Sequence, residues 1–276
     1  MDLEIKQKLT SNWFKSFQEM FCKTISDFEK NKISFKSTSW KRNLKKDEGG
    51  GEYRILKDGK IFDKVGVNFS KVYGKFPKQF QKNIPGASKD PRFWASGISI
   101  VMHMQNPHIP AMHFNTRFIC TKKNWFGGGM DVTPCLEFDE EKKKFHSDLK
   151  VMCDKYNPDY YPKFKKWCDE YFFIKHINEA RGIGGIFFDY LNEGDSNSEF
   201  EFVKDVGIFF HNYVDDIIQR KKEDKWEDDD KVRQLVKRGR YAEFNLLYDR
   251  GTKFGLETGG NVDAILMSMP PQANWE

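Results

Sequence analysis

A short alternating stretch contains the residues best suited to chemistry in this sequence. Between positions 112 and 118, His113, Asn115 and Arg117 alternate with apolar residues and one threonine. Because side chains point to alternate faces along a strand, the three polar residues would share one face. Arginine can hold a carboxylate with two parallel hydrogen bonds, and histidine can exchange a proton near neutral pH. The pattern therefore indicates a face that binds an anionic ligand.

A second strand-like stretch, 97–103, extends this polar face. Ser99 and His103 lie on one side of it, and the other side is apolar. If the two stretches pair as a hairpin through the loop Gln105–Pro110, all the polar residues meet on one surface. The alternative is a half-solvated strand pair, which is common in antiparallel sheets. The residue types favour a ligand, since a solvated face usually carries Lys, Glu and Thr.

The stretch Trp125–Pro134 contains three consecutive glycines, followed after one residue by Asp131. Such a run costs backbone entropy on folding, so it is expected where the chain turns tightly or approaches a ligand. It is not a phosphate-binding loop, because no Gly-Lys-Ser/Thr follows. Asp131 either bonds to local N–H groups in a turn, or acts on a ligand by facing its N–H groups or abstracting protons. Replacement by Asn, which has nearly the same shape, is expected to leave folding unchanged.

Four histidines are candidates for a nitrogen-rich metal site. His103 and His113 belong to the polar face, whereas His146 and His176 lie on two predicted helices. Imidazole is a common ligand of transition metals. The sequence has no H-E-x-x-H motif and no close His-x-Asp/Glu pair, so the spacing leaves two readings open: a metal site, or four separate hydrogen-bonding groups.

The elements that must position these residues follow from the periodicity of the apolar residues. Helical spacing between Trp13 and Phe28 predicts an amphipathic first helix, and a strand pair flanks the turn at Asp58-Gly59. Further helices are predicted at about Asp139–Tyr156, Pro162–Glu179, Ser198–Lys222 and Trp226–Arg238, and further strands at Gly185–Leu191, Tyr241–Tyr248 and Val262–Met267. Paired strands with helices grouped between them predict an α+β fold with a mainly antiparallel sheet, in one domain spanning residues 1–276.

The composition excludes several classes of protein. The chain has 276 residues, of which 38% are hydrophobic and 32% charged, as in soluble globular proteins. The net charge of +5 is spread evenly, which argues against a nucleic-acid-binding arm. Five cysteines without a C-x-x-C motif predict free thiols and a cytoplasmic location. No segment has the length and apolarity of a membrane span or a signal sequence.

Four longer segments resemble the oxygen-dependent coproporphyrinogen III oxidases. They are Ser99–His103 with His113–Arg117, Trp125–Pro134, Tyr161–Tyr171 with Arg181–Asp189, and Gly239–Gly255 with Ile265–Pro270. The similarity covers nearly the whole chain. It implies an enzyme of haem biosynthesis that uses O2 to convert two propionate side chains of coproporphyrinogen III into vinyl groups, giving protoporphyrinogen IX.

The resemblance also implies an architecture: a large flat antiparallel sheet covered by helices on both faces, and a homodimer with a deep cleft for the tetrapyrrole. The dimer contacts are expected in the region Tyr241–Met267. No nucleic acid or membrane partner is expected. Since the porphyrinogen is electron-rich and can itself reduce O2, no organic cofactor is expected, and a divalent metal ion remains an open alternative.

The resemblance assigns roles residue by residue. His113 matches the proposed proton donor, and Asp131 and Arg181 match active-site residues. The substrate-binding candidates are Ser99, Asn115, Thr116, Arg117, Gly259, Gly260 and Asn261. The family often has Arg at the position of Asn261, so either Asn261 holds a propionate more weakly or another cation, such as Arg250 or Lys253, takes over, and Arg250 is a further substrate-binding candidate. The positions assigned to a metal in bacterial members are His103, His113, His146 and His176.

Two other functions compete with this one. A porphyrin- or haem-binding protein would bind the macrocycle without consuming O2. A metal-dependent dioxygenase would use the histidine cluster, would lose activity with a chelator and would regain it with Fe(II). The absence of a close facial triad of ligands in the sequence argues against the dioxygenase.

Overall fold

The structure is a computed structural model that describes residues 2–30 and 32–276. Its helices are α1 (Leu3–Phe28), α2 (Lys78–Gln81), α3 (Asp139–Asp154), α4 (Tyr160–Tyr171), α5 (Ser196–Lys221), α6 (Asp228–Leu247), α7 (Arg250–Glu257) and α8 (Val262–Leu266). Its strands are β1 (Lys36–Lys41), β2 (Gly49–Lys57), β3 (Phe62–Lys75), β4 (Arg92–Met104), β5 (Ala111–Cys120), β6 (Asn124–Thr133), β7 (Phe173–Ile174), β8 (Glu179–Ala180) and β9 (Gly184–Leu191).

One antiparallel sheet forms the centre of the fold. Its strand order is β1-β2-β3-β4-β5-β6-β9, so strands β1 to β6 follow one another as a meander. Strand β9 joins the edge beside β6 after the chain has passed through α3 and α4. Strands β7 and β8 form a separate small hairpin. The predicted α+β fold with an antiparallel sheet is confirmed.

Aromatic packing holds one face of the sheet against α1 and α5. Along β5, buried and half-buried residues alternate without exception, as the predicted strand requires. Phe114 on its buried side meets Phe17 of α1 at 5.5 Å and Phe210 of α5 at 5.1 Å between ring centroids. Burial of such a side chain stabilises the fold by about 1.5–3 kcal/mol. The predicted first helix is confirmed by this packing.

Other helices lie on the opposite face. Tyr171 at the end of α4 stacks on Phe187 of β9 at 4.5 Å, and Phe244 of α6 belongs to the same cluster. At the other end of this face, Met267 follows α8 and lies directly over Gly66 of β3. Helices therefore cover both faces. Between these two contacts, Ser99 of β4 and the residues His113, Asn115 and Arg117 of β5 are half-buried and lie on the floor of the candidate site.

The two predicted closing strands are wrong. Residues 241–247 continue helix α6, which Tyr248 caps, and residues 262–266 form helix α8. Tyr241, Phe244 and Asn245 are buried while Leu246 and Leu247 are exposed, which is a helical pattern. A short apolar run has no clear period, and here the preceding polar helix extends through it.

Two other boundaries also differ from the predictions. The helix expected at Pro162–Glu179 ends at Tyr171, and the chain then forms the β7–β8 hairpin, in which Asn178 has a left-handed φ of 53°. The glycine run is strand β6, paired with β5 and β9, instead of a turn. Without side chains at these positions, the two neighbouring strands approach β6 closely.

Within the described residues, no helix combines the length and apolar character needed to cross a lipid bilayer. All five cysteines are free thiols. The assignment of residues 1–276 to one domain stays a prediction.

Candidate active site

A buried ion pair lies at the centre of the candidate site. The Arg181 guanidinium donates from Nη2 to Asp131 Oδ1 at 2.6 Å and from Nε to Asp131 Oδ2 at 3.2 Å. Both side chains are only 2% exposed. Asp131 lies on β6, and Arg181 lies in the turn between β8 and β9. Two parallel bonds of this kind fix the geometry of the pair as well as its charge.

Aromatic rings surround the Arg181 side chain. Its guanidinium carbon lies 4.0 Å from the ring centroid of Phe172, 4.6 Å from that of Tyr241 and 4.8 Å from that of Phe244. Cation–π attraction is strongest where water is excluded. The remaining guanidinium nitrogen, Nη1, donates to Asn245 Oδ1 at 2.9 Å. The arginine is therefore fixed on all sides.

The pair keeps Asp131 ionised despite its burial. Burial alone raises the pKa of Asp131, but the Arg181 charge and the hydrogen bond from His113 outweigh it, and the net pKa lies below its ordinary value. Burial likewise lowers the pKa of Arg181, and Asp131 more than compensates. Two opposite charges thus persist in a region that excludes water, where their electric field is weakly screened.

His113 connects this ion pair to the exposed part of the site. Its Nδ1 lies 2.8 Å from Asp131 Oδ1, and its Nε2 lies 3.1 Å from Asn115 Nδ2. An ionised carboxylate only accepts hydrogen bonds, so Nδ1 must donate. His113 is 16% exposed, against 2% for Asp131. Of the two, the imidazole is the group that a ligand can reach.

Arg117 fixes the orientation of the Asn115 amide. Arg117 Nη1 donates to Asn115 Oδ1 at 3.2 Å, and Nη2 donates to Asp189 Oδ2 at 2.8 Å. Because guanidinium has no acceptor, the amide must turn its oxygen to Arg117 and its NH2 group to His113 Nε2. A directional chain therefore runs from Arg117 through Asn115 and His113 to Asp131. The N–H groups of Arg117 that these bonds do not use can bind an anion.

The floor beside this chain is nearly flat. Ser99 pairs directly with Asn115, so the two share a face, as predicted from the alternation. On the same face, glycines occur in β3, β4 and β6 at Gly66, Gly97, Gly127 and Gly129. Positions without side chains leave room for a broad flat ligand to lie on the sheet.

Helix α7 forms a wall of this floor. At its start, the Arg250 guanidinium lies 4.9 Å from the Tyr171 ring, beside β9. Farther along, Phe254 meets Phe80 at 5.0 Å and packs near the ends of β3 and β4. The helix therefore runs from the β9 side of the floor towards the ends of β3 and β4, and α8 follows it.

The remaining substrate-binding candidates take different positions. Thr116 is wrong as a side-chain contact, because it points into the core on the opposite face and is 1% exposed. Asn261 caps α8, accepting from the Ala264 N–H at 2.9 Å, so its oxygen has a structural role. Gly259, with a φ of 72°, and Gly260 form the turn before that cap. Arg250 is exposed at the first turn of α7.

The four candidate metal ligands are not brought together. His103 Nε2 bonds to the Ser268 carbonyl, His146 Nε2 bonds to the Ile183 carbonyl, and His113 bonds to Asp131. His176 bonds to Tyr248 and to Glu243. Among the residues that the structure describes, no group of three His, Cys, Asp or Glu side chains could hold a metal ion. The donor set in this chain does not fit the metal site that the resemblance implies.

Two functional partners were missed from the sequence. Asp189 holds Arg117 and also accepts from Trp125 Nε1 at 3.2 Å, and Asn245 holds Arg181. A carboxylate in the apolar strand Gly184–Leu191 was the available signal for Asp189. Asn245 lay in a segment assigned to a strand, which hid its place on a buried helix face.

Comparison with known proteins shows the family to which the chain belongs. A family model described as coproporphyrinogen III oxidase matches residues 9–276. The chain is 50% identical over 277 residues to the oxygen-dependent coproporphyrinogen-III oxidase of Rickettsia bellii (strain RML369-C), with 98% of each chain covered. It is 50% identical over 283 residues to the protein of that name from Rickettsia akari (strain Hartford), with both chains fully covered.

The buried ion pair predicts that Asp131→Asn destabilises the fold. This prediction replaces the expectation from sequence that the substitution leaves folding unchanged. The variant leaves the buried Arg181 charge without its carboxylate, so we expect the free energy of unfolding to fall by about 3–5 kcal/mol in urea titrations. The control is Asp148→Asn, which breaks an exposed helix pair with Lys144 and should cost at most about 0.5 kcal/mol. Equal effects of the two substitutions would contradict the role given to the ion pair.

The stability of the protein will fall between pH 7 and pH 5. Burial lowers the pKa of His103 to about 3, so in this range only the unfolded chain, with an ordinary pKa near 6.5, takes up a proton. Because protonation is linked to unfolding, this residue lowers the free energy of unfolding by about 2 kcal/mol between pH 7 and pH 5. The carboxylate of Asp131 is ionised in both states here and adds nothing. His103→Gln should reduce the measured pH dependence without abolishing it, because burial also lowers the pKa of His146. An unchanged slope would exclude His103 as a source.

Proposed function

The chain belongs to the coproporphyrinogen III oxidase family and acts in haem biosynthesis as an oxygen-dependent oxidative decarboxylase, and we propose that the open face beside His113 and Asp131 is where it does so. One observation carries this assignment. A reachable imidazole is bonded to a buried, ionised carboxylate, and both lie beside an arginine with N–H groups left for an anion. The substrate has carboxylates for the arginine and exchangeable hydrogens for the imidazole.

The reaction balances with O2 as the oxidant. For each propionate, the bond to the carboxylate breaks and releases CO2, a C–H bond breaks on the carbon next to the ring, and a C=C bond forms. The two electrons released reduce O2. With one proton from that carbon and one from solvent, O2 leaves as hydrogen peroxide. Two such rounds give two vinyl groups.

His113 has the geometry to move the proton. Its Nδ1 donates to Asp131, so the lone pair of Nε2 faces Asn115 and the open floor. We infer that substrate displaces the Asn115 amide and that Nε2 takes the proton from the ring-adjacent carbon. The Asp131 carboxylate then stabilises the imidazolium, as in other carboxylate–histidine pairs. The same imidazole can return the proton to the peroxide.

The substrate supplies the electrons, so the protein supplies binding, orientation and electrostatics. Arg117 is the candidate for one carboxylate and Ser99 for a hydrogen bond on the floor. No organic cofactor is required by this balance. The free thiols agree with action in the reducing cytoplasm, which we also propose.

A homodimer is the proposed assembly. The resemblance places the contacts in the region Tyr241–Met267, which is helical in the structure. The homodimer is supported by a set of exposed apolar side chains in the last third of the chain. They are Leu246, Leu247, Leu256, Val262 and Trp275, each between 42% and 55% exposed. Such a concentration is typical of a surface that another subunit covers.

Activity should depend strictly on O2. We expect purified protein, mixed anaerobically with coproporphyrinogen III, to give vinyl products by mass spectrometry only after air is admitted. Flavin, nicotinamide and haem should have no effect, and exhaustive chelation should leave the rate unchanged, because no metal ligand set is assembled in the described chain. Anaerobic product would overturn the function. Binding without turnover in air would favour a carrier, and loss on chelation restored by one ion would favour metal catalysis.

His113→Gln should separate chemistry from binding. The variant keeps a polar side chain but cannot exchange a proton, so we expect kcat to fall at least about 100-fold with little change in KM. Arg117→Lys keeps the charge but cannot bond to Asn115 and Asp189 together, so it should raise KM more than it lowers kcat. A normal kcat for His113→Gln, at saturating substrate and with the fold intact, would remove His113 from the mechanism.

The dimer is testable in solution. Analytical ultracentrifugation at micromolar concentration should show two subunits, and Leu246→Glu with Leu247→Glu should shift the protein to monomers, since buried charges oppose association. Val151→Glu on α3 is the control, because Val151 is 60% exposed and lies far along the chain from this surface. A monomeric wild type would refute the proposed assembly.

A further inference from the structure

A third polar residue continues the substrate floor beyond the hairpin. In the sheet register, Asn68 of β3 is paired with Ser99 of β4, and Ser99 is paired with Asn115 of β5. Directly paired residues share a face, so the three side chains form one row across three strands. All three are half-buried, in contrast to the buried residues on the core face. The row ends on β3, at the side of the floor farthest from Asp131.

The indole of Trp40 fixes which way the Asn68 amide points. Trp40 Nε1 donates to Asn68 Oδ1 at 3.2 Å. Indole has no acceptor, so the amide oxygen must face Trp40 and the NH2 group must face away from it. The indole lies flat over Gly51, where any side chain would meet its ring carbons at 2.8 Å. Sequence positions 40, 51 and 68 therefore cooperate to orient one amide.

The Asn68 end of the row has hydrogen-bond donors for which no described residue supplies an acceptor. No described residue accepts a hydrogen bond from Asn68 Nδ2, and none of them is bonded to the Ser99 hydroxyl. Asn68 presents two N–H donors and Ser99 one O–H donor. A ligand that satisfies them must bring an acceptor, and a carboxylate forms the strongest such bonds.

The distance across the sheet suits a broad substrate. Two strand spacings separate Asn68 on β3 from His113 on β5, which is about 10 Å at roughly 4.8 Å each. A macrocycle that spans this width places one side chain near Asn68 while another reaches His113. Trp40 also packs with Ala264 and Met267 of the α8 region, which follows the turn at Gly259. The end of the floor formed by Trp40 and Asn68 is thus continuous with the wall formed by α7 and α8.

We propose that Asn68, oriented by Trp40, binds a propionate carboxylate of a ring that is not reacting and so sets the position of the substrate on the floor. The inference rests on the proposed function. Asn68 is a binding residue at the edge opposite the proton-transfer group, and Trp40 is a positioning residue that acts through it.

The test compares steady-state kinetics with coproporphyrinogen III in air. Asn68→Asp replaces the donors with a carboxylate of the same shape, so KM should rise by about tenfold or more, the scale for a lost hydrogen bond to a charged group. Asn68→Ala should raise it less, because it removes the donors without adding repulsion. Trp40→Phe keeps the ring but frees the amide, and should raise KM about threefold. In each variant kcat should stay within about threefold of the wild type.

Asn212→Asp is the matched control, since it adds the same charge at an exposed position on α5. Its KM should equal that of the wild type. A KM for Asn68→Asp equal to that of the control, with an unchanged melting temperature, would overturn the inference alone. If the wild type does not oxidise the substrate, the proposed function fails and the inference fails with it. A fall in kcat at constant KM would also overturn it, because that result assigns Asn68 to the chemistry.

Discussion

The site depends on keeping two opposite charges out of water at one point. Asp131 and Arg181 are both nearly inaccessible and are joined by two hydrogen bonds. Desolvating such ions is costly unless their geometry and their remaining bonds are satisfied. Three aromatic rings and Asn245 meet that requirement for the arginine. Helices α4 and α6 therefore cover this part of the sheet, and the adjoining floor is left open for a ligand.

Hydrogen-bonding groups that can only donate, or only accept, fix the orientation of the side chains between the buried ion pair and the open floor. The carboxylate of Asp131 forces His113 Nδ1 to donate, and the guanidinium of Arg117 forces the Asn115 amide into one orientation. Trp40 does the same for Asn68 at the other end of the floor. The polar side chains of the floor are thus preoriented before substrate arrives, which lowers the reorganisation needed in the transition state. Helices and glycine positions set the shape of the floor, and these few groups set its polarity.

The polar face of β4 and β5 was predictable from sequence because the two-residue period of a strand fixes which side chains share a face, whereas Asn68 on β3 was not predicted. Asp131 was singled out by its place after the glycine run, whereas Arg181 was named only through resemblance, and their pairing was not predicted, since no local pattern links residues fifty positions apart. Thr116 shows the limit of carrying over a motif by position, because its neighbours face the site and it faces the core. The last helices were missed because short apolar runs such as Phe244–Tyr248 fit a strand or a helix equally well.

The central claim is that Asp131 holds the His113 ring with its proton on Nδ1, leaving the Nε2 lone pair toward the substrate floor. Heteronuclear NMR of protein labelled at the histidine ring nitrogens reports this tautomer directly, with His113→Gln used to assign the signal. For the neutral ring the account predicts a protonated Nδ1 and an unprotonated Nε2. A proton on Nε2, with Nδ1 bare against the carboxylate, would contradict both the direction of the hydrogen-bond chain and the role of His113 as proton acceptor.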